Sequence, residues 1–457
     1  MTLPCVTTDA GVRESVSRDA SGLELVPESV ARPGTRDEVV ALLAEAQRDR
    51  VPVTAAGGQT STTAASLTDR GMLLSLRGLT GVHDVDASTR TVRVAPGELL
   101  GPLKRRLASE GWLLAPDPTS EEDCTVGGAI ACNASGARSL RYGAIRPHVR
   151  GLTVALVTGE VLELRRTALE KNTVGYAPVH DLVDWFVGSE GTLGVILEAE
   201  LALLDLPAWV IGLAIPFPTI GDALAFVVAA RESAALAPRC LEFLDAGAFA
   251  IARAAAQDPG WAAGASALIY TELSGRDGDE PPLDDWLALA HAHHAAEDDI
   301  RVYDGEAALR DARRLRHAVP ATMHERAAPH RASGGRRVST DWAVPYRLLG
   351  RALAASQAAV ESRGLEQPVT FGHAGNGHPH QNFIARDAAE LERITDAVGE
   401  TLREVIRLGG TVAAEHGIGK VKARWLPLQV SPTQRALMRA VKHELDPHGL
   451  LAPGNIL

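Results

Sequence analysis

Three glycine-rich turns lie between Gly57 and Gly194, each set among strand-like runs, and they constrain this chain more than any other feature. Val51-Pro52-Val53-Thr54 reads as a short strand running into Ala55-Ala56-Gly57-Gly58-Gln59-Thr60-Ser61-Thr62-Thr63. That turn offers unobstructed backbone N–H groups and a cluster of hydroxyls, the makings of a nest for a pyrophosphate, although a solvent loop would read the same way. The second stretch, Thr125 to Gly136, is too poor in large apolar residues to be a core element in its own right. It suits a backbone lying against a flat ligand, or alternatively a tightly packed helix with small interface residues. The third, Gly188-Ser189-Glu190-Gly191-Thr192-Leu193-Gly194, leads into the strand Val195-Ile196-Leu197. None has the strand–turn–helix context of a G-x-G-x-x-G fingerprint, which would need only the first turn. Three turns imply a long ligand laid across one domain.

The chain has 457 residues, more than one ordinary core, so two or three domains are expected. Hydrophobic residues make up 46% and charged residues 23%, an ordinary globular balance. A net charge of −11 argues against a nucleic-acid surface. The densest basic stretch, Arg310 to Arg337, has few aromatics and fits solvated helix and loop, or arginines that grip small carboxylates. Cys5, Cys124, Cys132 and Cys240 form no metal or redox spacing. The N-terminus shows no secretory signal, and the apolar run Leu206 to Gly221 is broken by prolines and too short for a bilayer. The expectation is a cytoplasmic protein without a transmembrane segment.

Thr35 and Glu38 stand in capping-box spacing before a helix with Val39, Leu42, Leu43 and Ala46 on one face. Strands are expected at Leu73 to Leu76 and Thr91 to Val94, and a hairpin around Leu152, Val154 and Leu156. From about Leu206 the texture changes. Helical stretches at 223–236, 283–294, 345–359 and 388–408 alternate with strands at 209–216, 266–272 and 337–344. That alternation fits an α+β domain with helices over an antiparallel sheet.

Two C-terminal segments carry the chemistry: Phe371 to Phe383 (FGHAGNGHPHQNF) and Ala413 to Lys420 (AAEHGIGK). A Gly-Asn-Gly step lets the chain fold back between His373 and His380 and bring both rings together. If a strand continues through Gln381, His378 shares a face with His380 and offers a third imidazole; otherwise it bonds nearby backbone. Glu415 and His416 diverge as neighbours must, so one can ligate a metal while the other faces a substrate. Imidazoles with one carboxylate suit a borderline divalent ion such as Zn²⁺, with Mn²⁺, Fe²⁺ or Co²⁺ also compatible.

The order of glycine turns, then G-H-x-G-x-G-x-x-H, then E-H-G-I-G resembles the FAD-linked oxidase family of vanillyl-alcohol-oxidase fold, in its glycolate oxidase, D-lactate dehydrogenase and D-2-hydroxyglutarate dehydrogenase branch. The resemblance runs from about Asp19 to Ile456, and Gly188 to Ile196 and Glu415 to Gly419 are its most specific pieces. It implies a PCMH-type FAD-binding domain of two α+β subdomains at 1–205 and an α+β cap (substrate) domain on an antiparallel sheet at 206–410. A C-terminal segment at 411–457 would pack back on the first domain. FAD, bound non-covalently, would place its pyrophosphate on Gly57, Gly58, Gln59, Thr60 and Ser61. Its other contacts would be Pro116, Thr125, Gly127, Gly128, Asn133, Ser135, Gly136, Tyr142 and Gly143, then Glu190, Gly191, Ile196 and Asn455.

The resemblance also makes His373, His380 and Glu415 metal ligands, with His378 a candidate fourth, and His416 the base. Arg316 would hold the substrate carboxylate. The implied reaction is oxidation of a D-2-hydroxy acid to the 2-oxo acid. A divalent ion lowers the hydroxyl pKa, His416 takes the proton, and the C2 hydride goes to flavin N5. The electron acceptor would be a quinone, an electron-transfer flavoprotein, a cytochrome or a partner subunit, and a homodimer is the default assembly. Several residues depart from the family. Asn376 stands for an aspartate, His378 for an asparagine, Ser339 for a lysine, and Ala452-Pro453-Gly454-Asn455 for N-P-G-K. The first turn has no histidine and loses an arginine and a glycine. Two alternatives share the fold: an FAD oxidoreductase of another alcohol without metal, and a flavin-assisted transfer like that of alkylglycerone-phosphate synthase. The latter uses adjacent histidines, whereas His373, His378 and His380 are separated.

Overall fold

The computed structural model describes residues 5–167, 169–176 and 181–457, which divide into two compact units. The first comprises residues up to Ser135, Gly143–Leu206 and Glu415–Leu457; the second comprises Gly136–Tyr142 and Pro207–Ala414.

The first unit is built on two larger sheets, with Trp112–Leu113 and Leu204–Asp205 forming a two-stranded antiparallel pair. Strands Ser29–Ala31, Met72–Ser75 and Val53–Ala56 run parallel, with the short strand Val6–Thr7 antiparallel at one edge. The helix Arg36–Asp49 packs Val39, Leu42, Leu43 and Ala46 into the core of that sheet, at the period expected of an amphipathic helix. Its capping box is present: Thr35 accepts from the Glu38 amide and Glu38 from the Thr35 amide. The second sheet is antiparallel, in the order Val82–Asp86, Thr91–Val94, Val195–Ala202, Val149–Ala155 and Val161–Arg165. The expected hairpin around Leu152 is its last two strands. Val92, Val94, Leu152, Val154, Ala199 and Leu201 bury one apolar face of this sheet with Val126 and Ile130. The small-residue stretch thus does contain a helix, Val126–Ala131, capped by the Thr125 hydroxyl.

The second unit is one seven-stranded antiparallel sheet. Its order is Arg301–Asp304, Trp209–Phe217, Ala267–Gly275, Cys240–Asp245, Val369–His373, His378–Asp387 and Gly334–Ser339. The helices Ala246–Ala255 and Gly305–Ala327 share a core with Leu244, Leu268 and Phe371. The helices Leu349–Glu361 and Ala388–Arg407 share a separate core with Phe383 and Ala385. The α+β class and the antiparallel sheet of the C-terminal half agree with the sequence reading. Two details differ. The stretch Arg310 to Arg337 opens as one long helix, because Ala312, Leu315, Val319 and Met323 form a buried stripe between arginines. The strand expected at 337–344 instead spans Gly334–Ser339; beyond it Ala343 bonds Thr411 in both directions, drawing the chain away.

No described helix is long and apolar enough to cross a membrane.

Candidate active site

In the second unit, the strands Val369–His373 and His378–Asp387 form a hairpin closed by the single turn Ala374–Asn376. Gly377 has φ +68°, and a Cβ there would sit 1.9 Å from the Val344 carbonyl oxygen, so only glycine fits. The register sets His373 opposite His378 and Phe371 opposite His380. Strand alternation then puts all three imidazoles on one face. They are buried, at 2%, 3% and 5% exposure, with ring centroids 4.5–5.5 Å apart. One nitrogen from each ring lies within 4.8 Å of the other two.

Each ring has a distinct second contact. His373 Nδ1 meets Glu242 Oε1 at 2.7 Å, and the Arg316 side chain lies against the other nitrogen at 3.2 Å. Arg316 Nε also pairs with Glu242 Oε2 at 2.5 Å. Burial alone would raise the Glu242 carboxyl, but His373 and Arg316 outweigh it and hold it at about 2. His380 points Nδ1 at the Thr340 carbonyl, 3.4 Å away. His378 Nε2 lies 3.0 Å from Asp341 Oδ1, an ion-pair contact out of line for a hydrogen bond, and among the described residues this buried nitrogen has no hydrogen-bond partner. Two imidazoles backed by a carboxylate or carbonyl, and a third with an orphaned buried nitrogen, fit the donor set of a borderline divalent ion. The sequence reading missed Glu242 and Asp341. Neither stands near the histidine motif in sequence; Glu242 reaches it only through the pairing of Cys240–Asp245 with Val369–His373.

In the first unit, the glycine turns converge on the last segment of the chain. Glu190 (φ +51°) accepts from the amides of Ile418 and Gly419 at 2.5 and 2.7 Å. Gly417 is obligatory there: it has φ +76°, and a Cβ would lie 2.3 Å from Glu190 Oε1. Burial raises the Glu190 carboxyl despite those two amides. Asn455 donates to the carbonyls of Ala65 and Glu190 and accepts from Lys420 Nζ at 2.7 Å. Burial lowers the Lys420 ammonium to about 8. A Cβ on Gly57 would meet Thr125 Oγ1 at 2.2 Å, and one on Gly58 the Asp123 carbonyl at 2.1 Å, so the first and second turns are in close contact. Gln59 takes φ +55° and donates to the Val16 carbonyl, while the hydroxyls of Ser61 and Thr63 pair; Thr60 is half-buried beside them.

In the second turn, Gly127 abuts Pro96 and Gly128 donates to Thr125. Asn133 accepts from the Arg146 amide and Ser135 donates to Glu415 Oε2 at 3.1 Å. Pro116 and Ile196 are buried, and Gly143 and Gly191 have φ +80° and +72°. Gly136 and Tyr142 belong instead to the second unit, where the Gly136 amide donates to Ser139. His416 is partly exposed, with Nε2 3.3 Å from Glu415 Oε1 and its carbonyl accepting from Thr63 Oγ1.

Two family descriptions match this chain: an FAD-binding domain over residues 27–165, and the C-terminal domain of FAD-linked oxidases over 206–456. With a PCMH-type first half and an antiparallel C-terminal sheet, the chain belongs to the FAD-linked oxidase family. It is similar to the glycolate oxidase component GlcD of Bacillus subtilis, 31% identical over 94% of this chain and 89% of that one. It is also similar to D-2-hydroxyglutarate dehydrogenase of Xanthomonas citri, at 34% over the same shares, and to D-lactate dehydrogenase of Anaerostipes hadrus, at 30%. Among solved structures, alkyldihydroxyacetonephosphate synthase matches with a TM-score of 0.74, covering 99% of this chain and 84% of that one. Its 18% identity makes this a likeness of fold.

Proposed function

We propose that this protein oxidises a D-2-hydroxy acid to the 2-oxo acid with non-covalent FAD and a divalent metal, Zn²⁺ being the first candidate. The observation that carries the reading is the set of three buried imidazoles on one sheet face, with the orphaned Nε2 of His378 among them. Relatives named for glycolate, D-lactate and D-2-hydroxyglutarate support the substrate class. When bound, FAD supplies the two-electron acceptor and the divalent ion acidifies the substrate hydroxyl.

The chain's own residues have these roles. His373, His378, His380 and Glu415 are the ligand set. Glu415 is one peptide beyond Ala414, whose amide is fixed on the Asp341 carbonyl at 2.8 Å. Glu242 engages Nδ1 of His373 and orients its ring, so Nε2 is the nitrogen that would hold the ion. Arg316 holds the substrate carboxylate, and His416 accepts the hydroxyl proton. The turns at 57–61, 125–136 and 188–196, with Asn455, hold the cofactor. The first 205 residues serve FAD and 206–410 the substrate. Likeness of fold to a synthase does not favour the transfer reading, since fold and reaction are separable.

Metal removal tests the ligand assignment. Dialysis against a strong chelator is expected to cut flavin reduction by the acid at least about 100-fold while the FAD absorbance stays with the protein, and added Zn²⁺, Mn²⁺ or Co²⁺ should restore it. Full turnover in metal-free protein would favour the metal-independent oxidation of another alcohol.

A further inference from the structure

The face that carries the imidazoles continues as a polar lane. Beyond His378 and His380, strand alternation points Asn382 the same way, and the register places Ser339 opposite Asn382 and Arg337 opposite Ile384. Ile384 packs in the core shared with the helix Gly305–Ala327, which fixes the side on which this lane lies. Three features set the lane apart from an ordinary helix-covered sheet face.

Asn382 is 1% exposed, and among the described residues its Oδ1 has no hydrogen-bond partner. Arg337 is half-buried, and among the described residues its hydrogen-bond partner is a single carbonyl, that of Pro320, 3.0 Å from Nη1. A guanidinium carries five N–H donors, so one carbonyl leaves most of them unused. No carboxylate pairs with Arg337 among the described residues, in a chain where Arg138, Arg239 and Arg316 each pair with a buried glutamate. Its burial without a counter-charge lowers its pKa. Pro320 is four residues, about one helical turn, beyond Arg316, the arginine that touches His373. Both guanidinium groups are therefore supported by neighbouring turns of one helix.

We propose that Arg337 is a specificity residue that binds a second carboxylate at the far end of the substrate, with Asn382 beside it, so that this chain prefers D-2-hydroxy diacids over D-2-hydroxy monoacids. This rests on the proposed reaction and narrows its substrate. Ser339, on the same strand face and two residues further on, has no charge to offer, and Arg337 supplies the cation for that face. Charge-assisted hydrogen bonds favour a carboxylate in such a place, where few solvent molecules compete.

The experiment compares wild type, Arg337→Met and Arg337→Lys by anaerobic flavin reduction with D-2-hydroxyglutarate and with D-lactate. A separate arm measures the equilibrium binding of glutarate, which cannot be oxidised, by calorimetry. Arg337→Met is expected to lower kcat/KM for the diacid by roughly 10- to 100-fold, mainly through KM, and to change the D-lactate value less than about threefold. Glutarate affinity should fall in parallel, with Arg337→Lys between the two. Equal losses for both acids, or none for either, would overturn the proposal, as would glutarate binding that ignores the substitution. If neither acid reduces the wild-type flavin, the oxidation reading fails. The glutarate arm then still decides whether Arg337 holds a carboxylate.

Discussion

Replacing His416 by alanine is expected to slow flavin reduction by a D-2-hydroxy acid by roughly 10²- to 10⁴-fold while FAD and metal remain bound. His416 is the least enclosed imidazole of the set, a quarter exposed, whereas His373, His378 and His380 are almost wholly buried. Its backbone is fixed independently of the ring, by the bond from Thr63 Oγ1 and by the bonds that Ile418 and Gly419 donate to Glu190. Truncating the ring should therefore leave the segment in place and remove only a proton acceptor. Stopped-flow absorbance separates the effects: the bleaching rate should fall while the substrate concentration giving half-maximal rate changes little. A variant that loses FAD, or keeps its rate, would show that His416 has another task.

The second large effect belongs to Glu242. Alanine there is expected to destabilise the second unit by about 3–5 kcal/mol, because Arg316 and His373 lose a buried counter-charge. Metal affinity should fall about 10–100-fold as His373 loses its orienting carboxylate. Glutamine keeps the shape and one acceptor, so Glu242→Gln should unfold later than Glu242→Ala yet still bind metal more weakly. The carboxyl is depressed from 4.5 to about 2 in the folded protein, so its contribution is present in full above pH 4.5 and fades as pH falls towards 2. Melting temperatures of wild type and Glu242→Gln should consequently converge in acid and differ by a constant amount near neutrality. A Glu242→Ala protein with wild-type melting temperature and metal content would refute this account of the residue.

What the sequence disclosed followed from local physics. Glycine turns were visible because a positive φ or a Cβ clash permits little else, as at Gly377 and Gly417. The histidines stood out because a two-residue period placed His378 and His380 on one face before any fold was known. Glu242 and Asp341 gave no such signal, and Arg337 stood out only as the last residue of a basic stretch that suited solvated helix and loop or the gripping of small carboxylates. What sets Glu242 and Arg337 in place is which strand pairs with which: Cys240–Asp245 with Val369–His373, and Gly334–Ser339 with His378–Asp387. The helix Gly305–Ala327 was obscured for a related reason. Its arginines dominate the composition, while its buried stripe of Ala312, Leu315, Val319 and Met323 is spread over twelve positions and includes one small residue.

The central claim is tested most directly by titrating the purified protein, without oxygen, against 2-hydroxy acids of both hands while recording the visible flavin band. Bleaching by a D-acid, and by a diacid at lower concentration than D-lactate, is the expected result. A flavin that stays oxidised through the whole panel would contradict the proposed oxidation.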